Sequence, residues 1–255
     1  MTRPRNGHGR VGARPRQGAF LLPSAFTVGN LFLGFFAVIL ALKGRFPATG
    51  ACILIAGVVD SLDGRIARMT HTESDFGKEF DSIADVVTFG VAPALSAYLW
   101  GLEELKRIGW LVPLFFLVAT ATRLARFNVQ SGRVDSRWFV GLPCPAAAGA
   151  VASFFLIAPD PDWRPWLIGL VTGGLVALGV LMVSTFRFWS GKSVDLKRPH
   201  SYRVALPIAA ALALLALEPA AFLPVVTVLY ALSGPLFWLW GRLVPRSHRA
   251  DGAKE

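Results

Sequence analysis

From Phe20 onward, apolar runs long enough to cross a bilayer recur along the chain, separated by short breaks that hold most of the charged residues. Runs of this length predict membrane helices, because a helix satisfies its own backbone N–H and C=O groups inside lipid. Eight spans fit the pattern: 20–42, 48–69, 80–101, 108–128, 142–159, 165–184, 203–218 and 221–242. Pro47, Pro143, Pro165, Pro219 and Pro224 fall near proposed ends, where proline is tolerated. The seventh span is short and carries Pro207. The predicted fold class is all-α, a polytopic membrane helix bundle of about eight transmembrane helices with no separate soluble domain. Residues 1–19, with five Arg among glycines and prolines, predict a disordered basic arm drawn to anionic headgroups. The transmembrane domain then covers 20–242, and 243–255 forms a basic tail.

Charge supports this count independently. With an even number of spans, both termini lie on one side. The segments on that side carry 21 of the 26 Lys and Arg, and only Lys43, Arg45, Lys106, Arg107 and Arg164 fall on the other. Basic residues favour the cytoplasmic face, so the termini and the connection between spans two and three are expected to be cytoplasmic, with the chain in the cell inner (plasma) membrane. A seven-span reading moves the C-terminal basic residues to the wrong side. Composition agrees: 54% of residues are apolar and 16% charged, against about 25% charged in soluble domains. The formal net charge of +10 follows from the basic loops and argues for no nucleic-acid partner. Cys52 and Cys144 both sit in apolar segments, as small buried hydrophobes do.

The most informative polar feature runs from Asp60 to Asp85. It reads Asp-x-x-Asp-Gly-x-x-Ala-Arg, then eight residues, then Gly-x-x-x-Asp-x-x-x-Asp. Asp60 and Asp63 share one helix face, as do Asp81 and Asp85. Four carboxylates converging at a membrane edge repel one another unless a cation sits among them. With oxygen ligands and no clustered His or Cys, the expected ion is Mg²⁺ or Mn²⁺. Two ions held by two carboxylate pairs suit a pyrophosphate substrate and in-line attack at phosphorus. Gly64 and Gly77 let a nucleotide approach the backbone, and Arg68 either holds a phosphate or orients the carboxylates. Asp85, last in the series and deepest in the third helix, is the best candidate for the base that takes a hydroxyl proton.

Asp60, Asp63, Gly64, Ala67, Arg68, Gly77, Asp81 and Asp85 together match the signature of the CDP-alcohol phosphatidyltransferase family, which the chain resembles without departure at these eight positions. The resemblance implies transfer of a phosphatidyl-type group from a CDP-linked lipid to an alcohol, with release of CMP. It implies two divalent metals on the four aspartates, with Asp85 also as base. Gly64, Ala67 and Gly77 would pack against the cytidine, within a donor site that includes Asp60. It further implies a six-helix core, here extended by two C-terminal spans, and a homodimer.

The motif is silent on the acceptor, so other polar residues must indicate it. Leu22-Pro23-Ser24-Ala25-Phe26-Thr27-Val28-Gly29-Asn30, Arg123-Leu124-Ala125-Arg126-Phe127-Asn128 and the stretch from Gly141 to Gly149 resemble the phosphatidylserine synthase branch. CDP-diacylglycerol and L-serine are then the expected substrates. Serine brings a carboxylate, which Arg123 or Arg126, three apart on one face, can bind bidentately, with Asn128 beside them. Thr27 and Asn30 are polar residues on one face of an apolar helix and are assigned to the CDP-lipid diphosphate or a metal-bound water. The same two arginines would also suit glycerol 3-phosphate, inositol or inositol phosphate. Intramembrane prenyl transfer and a divalent-cation transporter are the readings from other classes. Neither explains the spacing of the whole signature.

Overall fold

The computed structural model describes residues 21–70, 75–130, 138–160 and 164–189, then Leu206, Ala209, Ala210, Ala213, Leu214 and 217–243. Among these, α1 (Leu21–Leu42) and α2 (Phe46–Thr70) form an antiparallel pair. Gly44, at φ +67°, makes the reversal between them, and its N–H donates to the Ala41 carbonyl at 2.9 Å. Buried Thr49 then bridges the pair by donating to the Ala37 carbonyl at 3.3 Å.

The third span is one continuous rod of three parts. These are α3 (Asp75–Asp85), a π-helical segment (Val86–Val91) and α4 (Ala92–Trp100). After a short 3₁₀ turn at Leu102–Leu105 come α5 (Leu111–Gln130), α6 (Cys144–Ile157), α7 (Pro165–Val183) and α8 (Pro219–Leu243). Two three-residue strands, β1 (Trp138–Val140) and β2 (Arg187–Trp189), pair antiparallel with Phe139 opposite Phe188. They clip the segment before α6 to the segment after α7.

Small residues set the helix spacing. A side chain at Gly50 would collide with the Ala152 carbonyl of α6, and one at Gly34 would lie 2.7 Å from the Thr88 Cα. Close backbone approach of this kind is how membrane helices associate, since lipid offers no hydrophobic gain from their contact. Ala37, Ala56, Ala92, Ala97, Ala147, Ala148 and Ala152 are fully buried along the seams. Trp100 closes one end of the bundle. Its Nε1–H donates to the Ala158 carbonyl at 2.9 Å, and its ring meets Phe154 edge-on at 4.8 Å. Outward faces carry exposed Phe32, Phe35, Val58, Leu170 and Leu232. Along helices of bilayer length, such apolar exposure is the lipid-facing surface.

Seven of the eight predicted spans appear as helices. Five of these are long and apolar enough to cross a membrane, and Phe46–Leu62 and Cys144–Ile157 are shorter apolar stretches. Most of the seventh, 203–218, lies outside the described residues, although Leu206, Ala209, Ala210, Ala213, Leu214 and Leu217 are helical. The arm 1–19 and the tail beyond Leu243 also lie outside them. Three details differ from expectation. The third span starts five residues early, at Asp75, because the polar turns of α3 continue its apolar part. Pro224 sits inside α8, not at its edge, as does Pro235. The β1–β2 ribbon had no counterpart in the hydropathy, which cannot register three-residue strands.

Candidate active site

The site forms where the polar end of α2 meets α3. Asp60 comes from α2, and Asp81 and Asp85, four residues apart, come from one face of α3. One carboxylate oxygen from each of the three lies within 4.8 Å of the others. At such separations two like charges near a protein surface repel by about 3 kcal/mol or more. A hard divalent cation removes that cost, and three oxygen donors from three residues fit one. The cluster is therefore one that could bind a metal. Asp63, one turn along α2, shares the helix, but its side chain and those of Ala67 and Arg68 lie outside the described residues, as do the surroundings of Gly64. Gly77 sits half-buried on α3, one turn before Asp81.

Asp85 is held by an amide from α1. Asn30 of α1, fully buried, donates from Nδ2 to Asp85 Oδ1 at 3.2 Å. Thr88, third residue of the π-helical segment, donates from Oγ1 to the Asn30 carbonyl at 3.1 Å, so α1 and the third span are cross-tied beside this carboxylate. The fit is tight because Gly34 leaves room for Thr88 alone. Thr27, a turn before Asn30, is buried on the same helix. Arg123 of α5 is 6% exposed and near enough for its charge to act on Asp85. Its Nη1 donates to Cys144 Sγ at 3.8 Å, and that thiol faces the Thr120 carbonyl at 3.8 Å.

The two arginines proposed for the acceptor have different surroundings. Arg126 donates from Nη1 to the Val183 carbonyl at 2.8 Å, and from Nη2 to the carbonyls of Val140, Met182 and Ser184, each at 3.1 Å. Three of these carbonyls close the C-terminal turn of α7, where no intrahelical donor reaches them and a cation is favoured. The fourth belongs to β1. Gly141, at φ +79°, lets the chain pass this clasp, since a side chain there would meet the guanidinium at 2.6 Å. Asn128 donates from Nδ2 to Ser82 Oγ at 2.8 Å, tying α5 to α3. Thus the fold gathers Asp60, Asp81, Asp85, Asn30 and Arg123 into one place, and engages Arg126 and Asn128 in ties between elements. Thr88 and Cys144 are the neighbours that sequence reasoning did not connect to the site. Cys144 lay within a quoted stretch, but nothing local pointed it at Arg123.

A family model described as CDP-alcohol phosphatidyltransferase matches residues 20–184. A CDP-diacylglycerol--serine O-phosphatidyltransferase of Helicobacter pylori J99 is 37% identical over 225 residues, covering 87% of this chain and 92% of the relative. A protein of the same description from Mycobacterium tuberculosis H37Rv is 36% identical over 209 residues, 78% of this chain and 69% of the relative. The archaetidylserine synthase of Methanothermobacter thermautotrophicus is 34% identical over 169 residues, 66% and 69% of the two chains.

Proposed function

The chain belongs to the CDP-alcohol phosphatidyltransferase family, and we propose that it moves the phosphatidyl group of CDP-diacylglycerol to L-serine, releasing CMP and forming phosphatidylserine. The observation that carries this reading is the meeting of Asp60, Asp81 and Asp85 within 4.8 Å, beside a buried arginine and a buried asparagine. Asp60, Asp63, Asp81 and Asp85 would hold two Mg²⁺ or Mn²⁺ ions. Such ions neutralise charge on the pyrophosphate and on the departing phosphate. Asp85 takes the proton of the serine hydroxyl. The serine oxygen forms a bond to the phosphatidyl phosphorus as the bond from that phosphorus to the bridging oxygen breaks, and CMP leaves with the bonding electrons. Asn30 fixes the rotamer of Asp85, so the base does not swing between the acceptor and its acidic neighbours. The serine carboxylate is assigned to the Arg123 guanidinium, a reading supported by its burial, by its charge acting on Asp85, and by its donating, among the described residues, to a thiol alone.

Gly64, Ala67 and Gly77 would face the cytidine, with Arg68 on a phosphate and Thr27 near the diphosphate. The orientation with termini and site on the cytoplasmic side of the inner membrane is supported by the 21-to-5 division of basic residues. A homodimer completes the reading by family resemblance, and crosslinking in native membranes tests it.

The test is product identification with detergent-purified protein, CDP-diacylglycerol and Mg²⁺ or Mn²⁺, offered L-serine, glycerol 3-phosphate or inositol in parallel. Serine-dependent CMP and phosphatidylserine are expected. Turnover with another acceptor alone would discard serine, and no turnover from folded protein would return prenyl transfer and cation transport to consideration.

A further inference from the structure

Among the described residues, three buried side-chain atoms have no hydrogen-bond partner: Asn30 Oδ1, Arg123 Nε and Ser96 Oγ. A buried polar group left unmade costs about 1–3 kcal/mol, so each needs a reason. Ser96 lies eleven residues past Asp85, about 16 Å further along the same span. Of the other two, Asn30 is bonded to Asp85, and Arg123 is near enough for its charge to act on that carboxylate. Asn30 holds Asp85 through Nδ2, which leaves its amide oxygen as the free end of the same planar group. The amide cannot be turned to relieve this, because a carboxylate only accepts and must face the NH₂ end. Arg123, on α5, offers a cationic N–H.

A buried acceptor bonded through its own amide to a carboxylate, and a buried cationic donor whose charge reaches that carboxylate, are the complement of a zwitterion that also carries a hydroxyl. We propose that Asn30 selects the acceptor by receiving its ammonium on Oδ1, while Arg123 takes the carboxylate and the hydroxyl faces Asp85. This rests on the serine reading and deepens it. Asn30 becomes an acceptor-specificity residue in addition to positioning the base, in place of the diphosphate role its sequence suggested. An ammonium makes a charge-assisted bond to an amide oxygen, about twice as strong as one from a neutral hydroxyl. A phosphate monoester or polyol satisfies Arg123 but leaves Asn30 with at best a neutral partner.

Two truncated acceptors separate the poles. 3-Hydroxypropionate is serine without its amino group, and ethanolamine is serine without its carboxylate. In the wild-type protein, kcat/KM for L-serine should exceed that for 3-hydroxypropionate by about ten- to a hundredfold, the worth of one buried charge-assisted bond. Asn30→Ala should bring that ratio close to one, while the ratio of serine to ethanolamine survives. Arg123→Gln should do the reverse. Loss of the Asp85 hydrogen bond alone would slow all three acceptors alike and leave both ratios unchanged, so an unchanged serine to 3-hydroxypropionate ratio in Asn30→Ala overturns the proposal. Wild-type protein that uses 3-hydroxypropionate as well as serine also overturns it, without need of any variant. CMP release with glycerol 3-phosphate but not with serine would instead sink the serine reading on which the inference stands.

Discussion

Replacing Arg126 separates a structural arginine from a substrate-binding one. Its four bonds run to carbonyls of Val140, Met182, Val183 and Ser184, so Arg126→Gln strands the C-terminal turn of α7 and loosens the β1 segment before α6. A hydrogen bond from a charged donor contributes about 1.5–3 kcal/mol when buried, but this side chain is only partly buried and shares one group among four carbonyls. A total of about 3 kcal/mol is therefore expected. For a chain of this size that lowers Tm by about 6–12 °C. The assay is thermal unfolding of detergent-purified protein followed by tryptophan fluorescence, with steady-state kinetics on the fraction that remains folded. KM for the acceptor should change less than threefold, and Arg126→Lys, which keeps the charge but not the fork, should fall between wild type and Arg126→Gln in Tm. An unchanged Tm with an acceptor KM raised tenfold or more would refute the clasp and put Arg126 on the substrate.

Four further outcomes follow from the same geometry. Asp85→Asn should fold and bind metal while losing activity by at least about a hundredfold, the usual worth of a positioned base; near-normal turnover would remove that role. Asp60→Asn and Asp81→Asn should each raise the metal concentration needed for half-maximal activity, and chelation should abolish wild-type activity until Mg²⁺ or Mn²⁺ is restored; an unchanged metal titration would contradict their assignment as ligands. Gly34→Val should destabilise the protein by about 1–3 kcal/mol, because a side chain there overlaps Thr88 backbone and must push α1 away from the π-helical segment; wild-type Tm in that variant would show the seam to be loose. Asn128→Ala should cost about 1 kcal/mol through its lost bond to Ser82 and leave the acceptor KM unchanged.

What could be read from the chain alone divides by range. The meeting of Asp60, Asp81 and Asp85 was legible because helical periodicity is local: Asp81 and Asp85 must share a face wherever α3 lies, and the flanking apolar runs place that face at a membrane edge. The spans were legible for the same reason, as length and hydropathy need no partner. Arg123 and Arg126 look equivalent in sequence, three apart on one helix. Only packing distinguishes them, since Arg126 meets the end of α7, 56–58 residues away, and Arg123 is buried, bonds Cys144 and acts on Asp85 through its charge. Asn30 was visible as a polar residue in an apolar helix, but its partner lies 55 residues on. The π-helical turn at Val86–Val91 carries no local signature, because its sequence would serve equally well in an α-helix.

The most direct test of the central claim, that these carboxylates hold a metal and Asp85 activates the acceptor, is one paired measurement. Serine-dependent CMP release and Mn²⁺ binding, by electron paramagnetic resonance, are followed on the same preparations of wild type, Asp85→Asn and Asp81→Asn. The account predicts that Asp85→Asn keeps most of its bound Mn²⁺ and loses turnover, whereas Asp81→Asn loses both together. Turnover in Asp85→Asn at the wild-type rate, or Mn²⁺ binding unaltered in Asp81→Asn, would contradict it.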